Sequence, residues 1–294
     1  MHSQYSDSTI ARWSALACVL IAVGLWNLPW LLRPDLFYDD AAHHVWWLNQ
    51  YADPELFRGD VAVDYFKTNA PWLYRGIYWV LVHFADAQTA AELVAIPLLV
   101  FSFVMVWRIA VISAPSEPES TGLLAIVGLA AMLVYSQARD VLPPIGFQRT
   151  FSLPLLLMTA WALTARRYAW VGLSWLASAV IYPVTLPLQG LAAVVVWSRD
   201  LATERKMPPH WVWNGVLGIL SVAIALLGVP VPGNVGPAYT FAEAIRMPEF
   251  GPGGRLQMYE SGRIGHGPWL GGHRMGLGWP PRLLVLIVAA TAVA

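Results

Sequence analysis

The chain alternates apolar blocks with polar segments, and the blocks have the length of a membrane-crossing helix or come near to it. A helix crosses the hydrocarbon core with about 20 consecutive apolar residues. The longest block carries Pro183 and Pro187 after Tyr182, which predicts two helices separated by a break. The pattern predicts an all-α fold, a polytopic transmembrane helical bundle with outer-side loops and interfacial helices. The apolar blocks cover 11–32, 88–111, 121–138, 150–165, 168–198, 211–230 and 281–294.

Composition agrees with a protein whose solvent is the bilayer. Hydrophobic residues make up 57% of the chain and charged residues 12%, whereas a soluble domain carries roughly a quarter charged residues. The net charge is zero and no lysine-rich or arginine-rich run exists, which excludes the electrostatic footprint of a nucleic-acid-binding protein. The single cysteine, Cys18, lies in the first apolar block, so neither an intramolecular disulfide nor a cysteine metal cluster can form.

The two ends of the chain bear on its domain organisation. The first apolar block is followed by Arg33, Pro34 and Asp35 rather than by a small-residue cleavage site, so we predict a retained helix and not a signal peptide. The last block ends at Ala294 inside an apolar run. We expect a single membrane domain over 1–294, belonging to an N-terminal fragment of a longer protein that is truncated at its C-terminus.

The basic residues predict which loops face the cytoplasm, because Lys and Arg concentrate in cytoplasmic loops. All basic loops lie on the cytoplasmic side if the segment 168–198 crosses the membrane twice and 73–86 is an interfacial helix. The loops 33–87, 139–149 and 231–280 then lie together outside. Aromatic residues within 72–83 favour the interfacial interpretation over a short transmembrane helix; they are Trp72, Tyr74, Tyr78, Trp79 and His83. The basic residues are Arg12, Arg166, Arg167, Arg199, Arg205 and Lys206.

Directly after the first helix, two carboxylates precede two histidines. In a helix that begins at Asp39, this residue is an N-cap, and it lies four positions from His43, as Asp40 does from His44. A carboxylate in such a pair can deprotonate an acceptor hydroxyl or amide. Alternatively, Asp39 and Asp40 hold a divalent cation against a phosphate leaving group. Capping and a solvated helix face form the structural alternative.

For other residues of the first loop, a structural role is the preferred interpretation. Trp46 and its neighbour Trp47 can stack on a sugar ring or anchor the chain at the membrane interface. Further along, Asp53 and Asp60 are interpreted as turn and cap residues beside a proline and a glycine. The role of Asp64 stays open.

The two arginines of the predicted outer loop 139–149 are candidate phosphate ligands, because a guanidinium pairs bidentately with phosphate. Arg139 and Arg149 flank a short loop, and Arg149, beside a helix start, is the preferred ligand; a salt bridge from Arg139 to Asp140 is the structural alternative. Arg255 lies in the glycine-rich loop 231–280, which contains no phosphate-loop or dinucleotide-binding signature.

One helix, an outer loop that opens with acidic residues, and many further spans together resemble the GT-C superfamily of membrane glycosyltransferases. The stretch that carries this resemblance runs from Tyr38 through Asp39 and Asp40 to Trp47. The resemblance implies a catalytic base, or in some branches a metal ligand, at Asp39 or Asp40. It also implies a polyprenyl-phosphate sugar donor, with its phosphate bound by an arginine. The region 53–66 also resembles bacterial membrane proteins of this general build.

We therefore expect a glycosyltransferase of the bacterial plasma membrane that moves a sugar from a polyprenyl-phosphate carrier to an acceptor on the periplasmic or exterior face. Asp39 and Asp40 are the expected catalytic residues. The expected partners are membrane lipid and the lipid-linked donor, and a divalent cation is a possible cofactor. A transporter or flippase with its substrate at the break near Pro183, or a noncatalytic assembly protein, is the alternative. The expected substrate-binding residues are His43, His44, Trp46, Arg139, Arg149 and Arg255.

Overall fold

The structure is a computed structural model that describes residues 2–32, 44–134, 145–207, 209–228, 240–244 and 246–248. Backbone contacts divide the chain into one unit from Met1 to Pro230 and a second from Val231 to Ala294. In the second unit the described residues include a single helical turn, Phe241–Ala244. The predicted loop 231–280 and the block 281–294 lie almost entirely outside the described residues.

The described part of the chain is built from helices and contains no strand, which confirms the all-α prediction. The first unit contains nine α-helices within its described residues, and short 3₁₀ segments cover Trp46–Tyr51, Gln148–Phe151 and Pro183–Thr185. The α-helices are α1 (His2–Leu32), α2 (Val61–Asn69), α3 (Trp72–Leu81), α4 (Ala87–Ser113), α5 (Pro118–Val134), α6 (Ser152–Thr164), α7 (Tyr168–Ile181), α8 (Leu186–Glu204) and α9 (Trp211–Leu227).

Among the described helices, α4 is the one that is both long and apolar enough to cross a membrane. Its 27 residues would span about 40 Å at the α-helical rise of 1.5 Å per residue. Asp86 caps the start of this helix. Its carboxylate accepts hydrogen bonds from the backbone N–H of Thr89 at 3.0 Å and from the Thr89 hydroxyl at 2.7 Å. Shorter apolar stretches occur in α1, α5, α7 and α9.

The first group of helices packs around the middle of α4. Phe103 of α4 is fully buried beside Val19 of α1 and Ile126 of α5. At Gly122 of α5, an added Cβ would lie 2.7 Å from the ring of Trp107. This glycine therefore lets α5 approach α4 closely, as small residues do between membrane helices.

The second group contains α6 to α9, and hydrogen bonds between buried groups join its helices. Asn214 of α9 accepts from the backbone N–H of Gly172 in α7 at 2.9 Å. The hydroxyls of Thr159 in α6 and Ser174 in α7 lie 2.7 Å apart. Such bonds satisfy polar groups in an apolar interior and fix the register between helices.

The predicted break after Tyr182 is confirmed. Helix α7 ends at Ile181, a 3₁₀ turn begins at Pro183, and α8 begins at Leu186 with Pro187 in its first turn. Proline is tolerated there because the first helical N–H groups have no partner within the helix. The block 168–198 therefore forms two helices, as the sequence predicts.

Helix α3 occupies the segment for which the sequence predicts an interfacial helix. It has 10 residues, about half the length that a membrane crossing requires. Trp72 and Trp79 are more than half exposed, whereas Tyr74 and Tyr78 are fully buried. The helix thus has an exposed aromatic face, but its two tyrosines belong to the core and not to an aromatic belt at the headgroups.

The contact between α7 and α9 predicts that alanine substitutions at two glycines differ in their effect on stability. At Gly172 an added Cβ would lie 2.8 Å from Asn214 Oδ1 and from Leu217, while at Gly215 no described atom lies within 4 Å. We expect Gly172→Ala to destabilise the protein by about 1–3 kcal/mol through overpacking. Gly215→Ala should be neutral or stabilising. Thermal unfolding of both variants in the same detergent tests this; equal midpoints would contradict the close packing at Gly172.

The Asp86 cap predicts an acid-dependent loss of stability. Burial alone would raise the pKa of Asp86. Hydrogen bonds from Thr89, Gln88 and its own backbone lower this pKa by more than burial raises it, so it lies below its ordinary value. The stabilisation is therefore complete above the ordinary carboxyl range and is lost as the pH falls through the lowered pKa.

We expect Asp86→Ala to lower stability by about 1 kcal/mol at neutral pH, and the difference from the parent protein should shrink in acid. Unfolding midpoints of both proteins across a pH series measure this. A difference that stays constant down to the lowest pH would show that the carboxylate cap does not contribute.

Candidate functional site

Three of the predicted site residues lie in the described part of the chain: His44, Trp46 and Arg149. The other predicted residues lie outside the described residues, and their roles stay predictions. These are Asp39, Asp40, His43, Arg139 and Arg255.

Phe147 contacts both His44 and Arg149, which lie 105 positions apart in the sequence. The His44 ring is nearly parallel to the Phe147 ring, with 5.7 Å between centroids. The Arg149 guanidinium carbon lies 5.3 Å from the same centroid. We call these three residues the Phe147 stack. Both His44 and Arg149 are half-buried, so a ligand at this surface would meet a cation and an imidazole beside an aromatic ring.

The backbone on either side of Phe147 is held against α3 and α4. Gly146 donates its N–H to the Ala91 carbonyl at 2.7 Å, and its own carbonyl accepts from the Tyr78 hydroxyl. A Cβ at Gly146 would lie 2.6 Å from Val94, so only glycine fits this approach. The Thr150 hydroxyl donates to the Ile145 carbonyl at 2.6 Å. These bonds give Arg149 a fixed backbone.

Two tyrosines lie on the inner side of the stack. Burial raises the pKa of Tyr182, and the positive charge of Arg149 opposes this shift, so the two groups lie within electrostatic range of each other. Burial also raises the pKa of Tyr74, whose hydroxyl has no hydrogen-bond partner among the described residues. Both phenols are therefore protonated at neutral pH, and Tyr74 keeps an unused donor in the described core.

A second cationic group lies beside the stack on α2. Lys67 Nζ donates to Gln50 Oε1 at 3.1 Å and lies 5.6 Å from the Tyr51 ring centroid. Burial raises the pKa of Tyr51 above its ordinary value, and the positive charge of Arg75 offsets part of this rise. The Phe66 ring contacts His44 edge-on at 5.2 Å and connects α2 to the stack. Through Phe66, Lys67 and the Phe147 stack are therefore connected by adjacent residues of α2.

The acidic residues of the described first loop have structural roles. Asp60 caps α2 by accepting from the N–H groups of Ala62 and Val63 at 2.8 and 3.3 Å. Asp53 accepts from the Glu55 N–H at 3.1 Å. The interpretation of Asp53 and Asp60 as turn and cap residues is confirmed. Asp64 is exposed in the first turn of α2, where it complements the helix dipole.

The two tryptophans of the first loop differ in their surroundings. Trp47 is 1% exposed and donates its indole N–H to the His44 carbonyl at 2.9 Å. It is therefore a core residue that positions His44. Trp46 is half-buried, with its ring edge-on to Phe57 at 4.5 Å between centroids.

Glu92 is a buried ionisable residue outside the predicted site. It lies in the second turn of α4 and is 8% exposed, and its carboxylate accepts from Gln88 Nε2 at 3.2 Å. An acidic residue inside an apolar helix is costly in a membrane and commonly marks a functional position. Its place as the one acidic residue of the apolar block 88–111 is the sequence signal that could have identified it.

Within the described ranges, no group of three His, Cys, Asp or Glu side chains could hold a metal ion. The predicted cation ligands Asp39 and Asp40 are not among those residues. The divalent cation therefore stays a prediction.

No family model, curated protein or solved structure matches this chain.

The Phe147 segment predicts opposite effects for two neighbouring tyrosines. Tyr78→Phe leaves the buried Gly146 carbonyl without its donor, so we expect destabilisation of about 1–3 kcal/mol. Tyr74→Phe removes a buried hydroxyl that has no partner in the described part of the chain, and stability should stay unchanged or rise. Thermal unfolding in detergent compares the two. A larger loss for Tyr74→Phe would contradict the assignment of Tyr78 as the anchor.

Proposed function

We propose that the chain is a multi-pass membrane protein in which α1 and α4 to α9 cross the bilayer. Exposed apolar side chains on α8 and α9 support this, because so much apolar surface needs a nonaqueous partner. Ile219 and Leu227 are 75% and 72% exposed, and Leu191 and Val195 are both 61% exposed. Helices α6 and α7, with 13 and 14 residues, are short for a crossing, and local thinning of the bilayer would accommodate them.

With seven crossings, the basic loops fall on one side and the Phe147 stack on the other. Arg166 and Arg167 lie between α6 and α7, and Arg205 and Lys206 between α8 and α9. The rule that positive charge stays inside places these loops in the cytoplasm. Alternation of the helices then places Phe147 and the break at Pro183 on the outer face.

The function that this surface supports best is transfer of a sugar from a polyprenyl-phosphate carrier to an acceptor on the outer face. The observation that carries the proposal is the placement of Arg149 beside His44 on one aromatic ring. Asp40 precedes His44 by four residues, which limits the distance between their Cα atoms to about 14 Å. This limit allows the candidate base to approach the candidate phosphate ligand.

The proposed reaction assigns one role to each residue. Asp39 or Asp40 accepts the proton of the acceptor hydroxyl. The hydroxyl oxygen of the acceptor forms a bond to the anomeric carbon of the sugar at the same time. The bond from that carbon to the carrier phosphate breaks, and its electron pair leaves with the polyprenyl phosphate. Arg149 stabilises the charge that develops on the leaving phosphate.

An apolar cleft near the break suits the isoprenoid part of the donor. It has a volume of about 150 Å³ and lies between Trp72 of α3, Pro183, and Ala225 of α9. Its wall is predominantly apolar, which favours a lipid chain over a polar transported substrate. This disfavours a transporter that binds a polar solute at the same break, while a flippase of a lipid-linked substrate stays the alternative.

Binding of polyprenyl phosphate tests the proposed phosphate site. We compare polyprenyl phosphate with the matching polyprenol for the purified full chain in phosphatidylcholine nanodiscs, with native mass spectrometry as the readout. The parent protein should prefer the phosphate. Arg149→Gln should reduce that preference about 10- to 100-fold, since hydrogen bonds to charged groups contribute about 1.5–3 kcal/mol.

Arg58→Gln is the matched control, because Arg58 is exposed and pairs with Glu55 at 3.0 Å outside the Phe147 stack. It should bind like the parent. In a screen of polyprenyl-phosphate sugars, Asp39→Asn and Asp40→Asn should retain donor binding, and at least one of them should lose transfer. Equal binding of phosphate and polyprenol by the parent protein would contradict the proposal.

A further inference from the structure

A second apolar cleft opens between α8 and α9, on the side opposite to the Phe147 stack under the proposed topology. It has a volume of about 540 Å³. Helix α9 packs along α7, while its contact with α8 is slight. The cleft is therefore a gap between α8 and α9. Helix α7 lies beneath it, and its open side faces the bilayer in the proposed topology.

The floor of the cleft is aromatic, and two glycines lie on its α9 wall. Trp175 of α7 and Trp197 of α8 form the floor, with 5.9 Å between ring centroids. Gly215 and Gly218 lie on the α9 wall. No described atom lies within 4 Å of a Cβ added at Gly215, so this part of the wall faces open space.

The mouth of the cleft carries positive charge. Met207 lines the cleft and directly follows Arg205 and Lys206, which are exposed. Neither cation has an ion-pair partner among the residues that the structure describes.

The nearest acidic residues are already engaged. Glu204 pairs with Arg166 at 2.5 Å. Asp200 is 4% exposed, accepts from the Tyr168 hydroxyl, and lies 3.8 Å from both Arg166 and Arg199. The positive charge of the loop is therefore available to an anion outside the protein.

We propose that this cleft binds an anionic glycerophospholipid of the cytoplasmic leaflet, with one acyl chain between α8 and α9 and its phosphate on Arg205 and Lys206. Charge complementarity selects this occupant, because a zwitterionic lipid would fill the same gap without a net charge to match the loop. Basic pockets between membrane helices bind anionic headgroups in this way. The inference depends on the proposed membrane topology and is independent of the sugar transfer.

Quenching of tryptophan fluorescence by brominated lipids tests the proposal directly, since three tryptophans line the cleft: Trp175, Trp197 and Trp211. The full chain is placed in phosphatidylcholine nanodiscs that contain brominated phosphatidylglycerol or, at the same mole fraction, brominated phosphatidylcholine. Brominated phosphatidylglycerol should quench more strongly. Gly215→Leu fills the cleft and should abolish this difference.

Gly190→Leu is the matched control for the added volume. Gly190 also has no described atom within 4 Å of an added Cβ, but it lies on α8 away from the cleft. The quenching difference should persist in this variant. The comparison isolates the three cleft indoles from the other tryptophans among the 16 of the chain.

The double variant R205Q/K206Q tests the headgroup contact without changing the cleft. Its apparent preference for phosphatidylglycerol should fall about fivefold for each cation removed, the equivalent of about 1 kcal/mol each. Arg108→Gln, which removes a cation from α4 away from the cleft, should leave the preference intact. Equal quenching by the two lipids in the parent protein, or an unchanged preference in R205Q/K206Q, would overturn the proposal and leave the donor-binding result unaffected.

Discussion

The backbone of Gly146 is held from two sides, and the arrangement of the Phe147 stack depends on this contact. Its N–H bonds to Ala91 in α4, and its carbonyl accepts from Tyr78 of α3. The contact ties the short helix α3 and the start of α6 to the first turns of the longest apolar helix. A side chain at this position would collide with Val94. Close packing of this kind leaves few alternative positions for Phe147, and so for Arg149.

Ionisable and polar side chains occupy three kinds of position that serve different purposes. Between α7 and α9, Asn214 is buried and bonds to the backbone, which specifies how these helices pair. At the ends of the helices, Asp86 and Asp60 cap α4 and α2. Arg149 is half-buried on an aromatic ring, opposite a histidine from a distant part of the chain. This position makes it the central residue of the proposed phosphate site.

The two apolar clefts differ in the polar groups around them, and this difference underlies the two proposed ligands. The cleft at Pro183 lies on the same face as the Phe147 stack in the proposed topology, so a lipid chain there would have its phosphate at the membrane surface that carries Arg149. The cleft at Gly215 adjoins Arg205 and Lys206. Both would hold a chain in an apolar groove and a phosphate on cations, at opposite surfaces of the bilayer.

Local patterns in the sequence determined the elements whose physical cause is itself local. Pro183 and Pro187 break the long apolar block because proline cannot continue a helix interior, and Asp60 starts α2 because its carboxylate satisfies free N–H groups. The all-α architecture likewise follows from the length of the apolar runs. The proposed sidedness also rests on local features, since it follows from the charges of the loops.

Only the tertiary structure decided which aromatic residues face the core and which residues meet at a site. Tyr74 and Tyr78 have the same amphipathic character as Trp72 and Trp79, and burial against the Phe147 segment separates the two pairs. His44 and Arg149 meet through Phe147, a contact between distant positions that no local spacing encodes. The sequence determines local backbone preference and burial tendency; which distant surfaces meet is decided by packing of the whole chain.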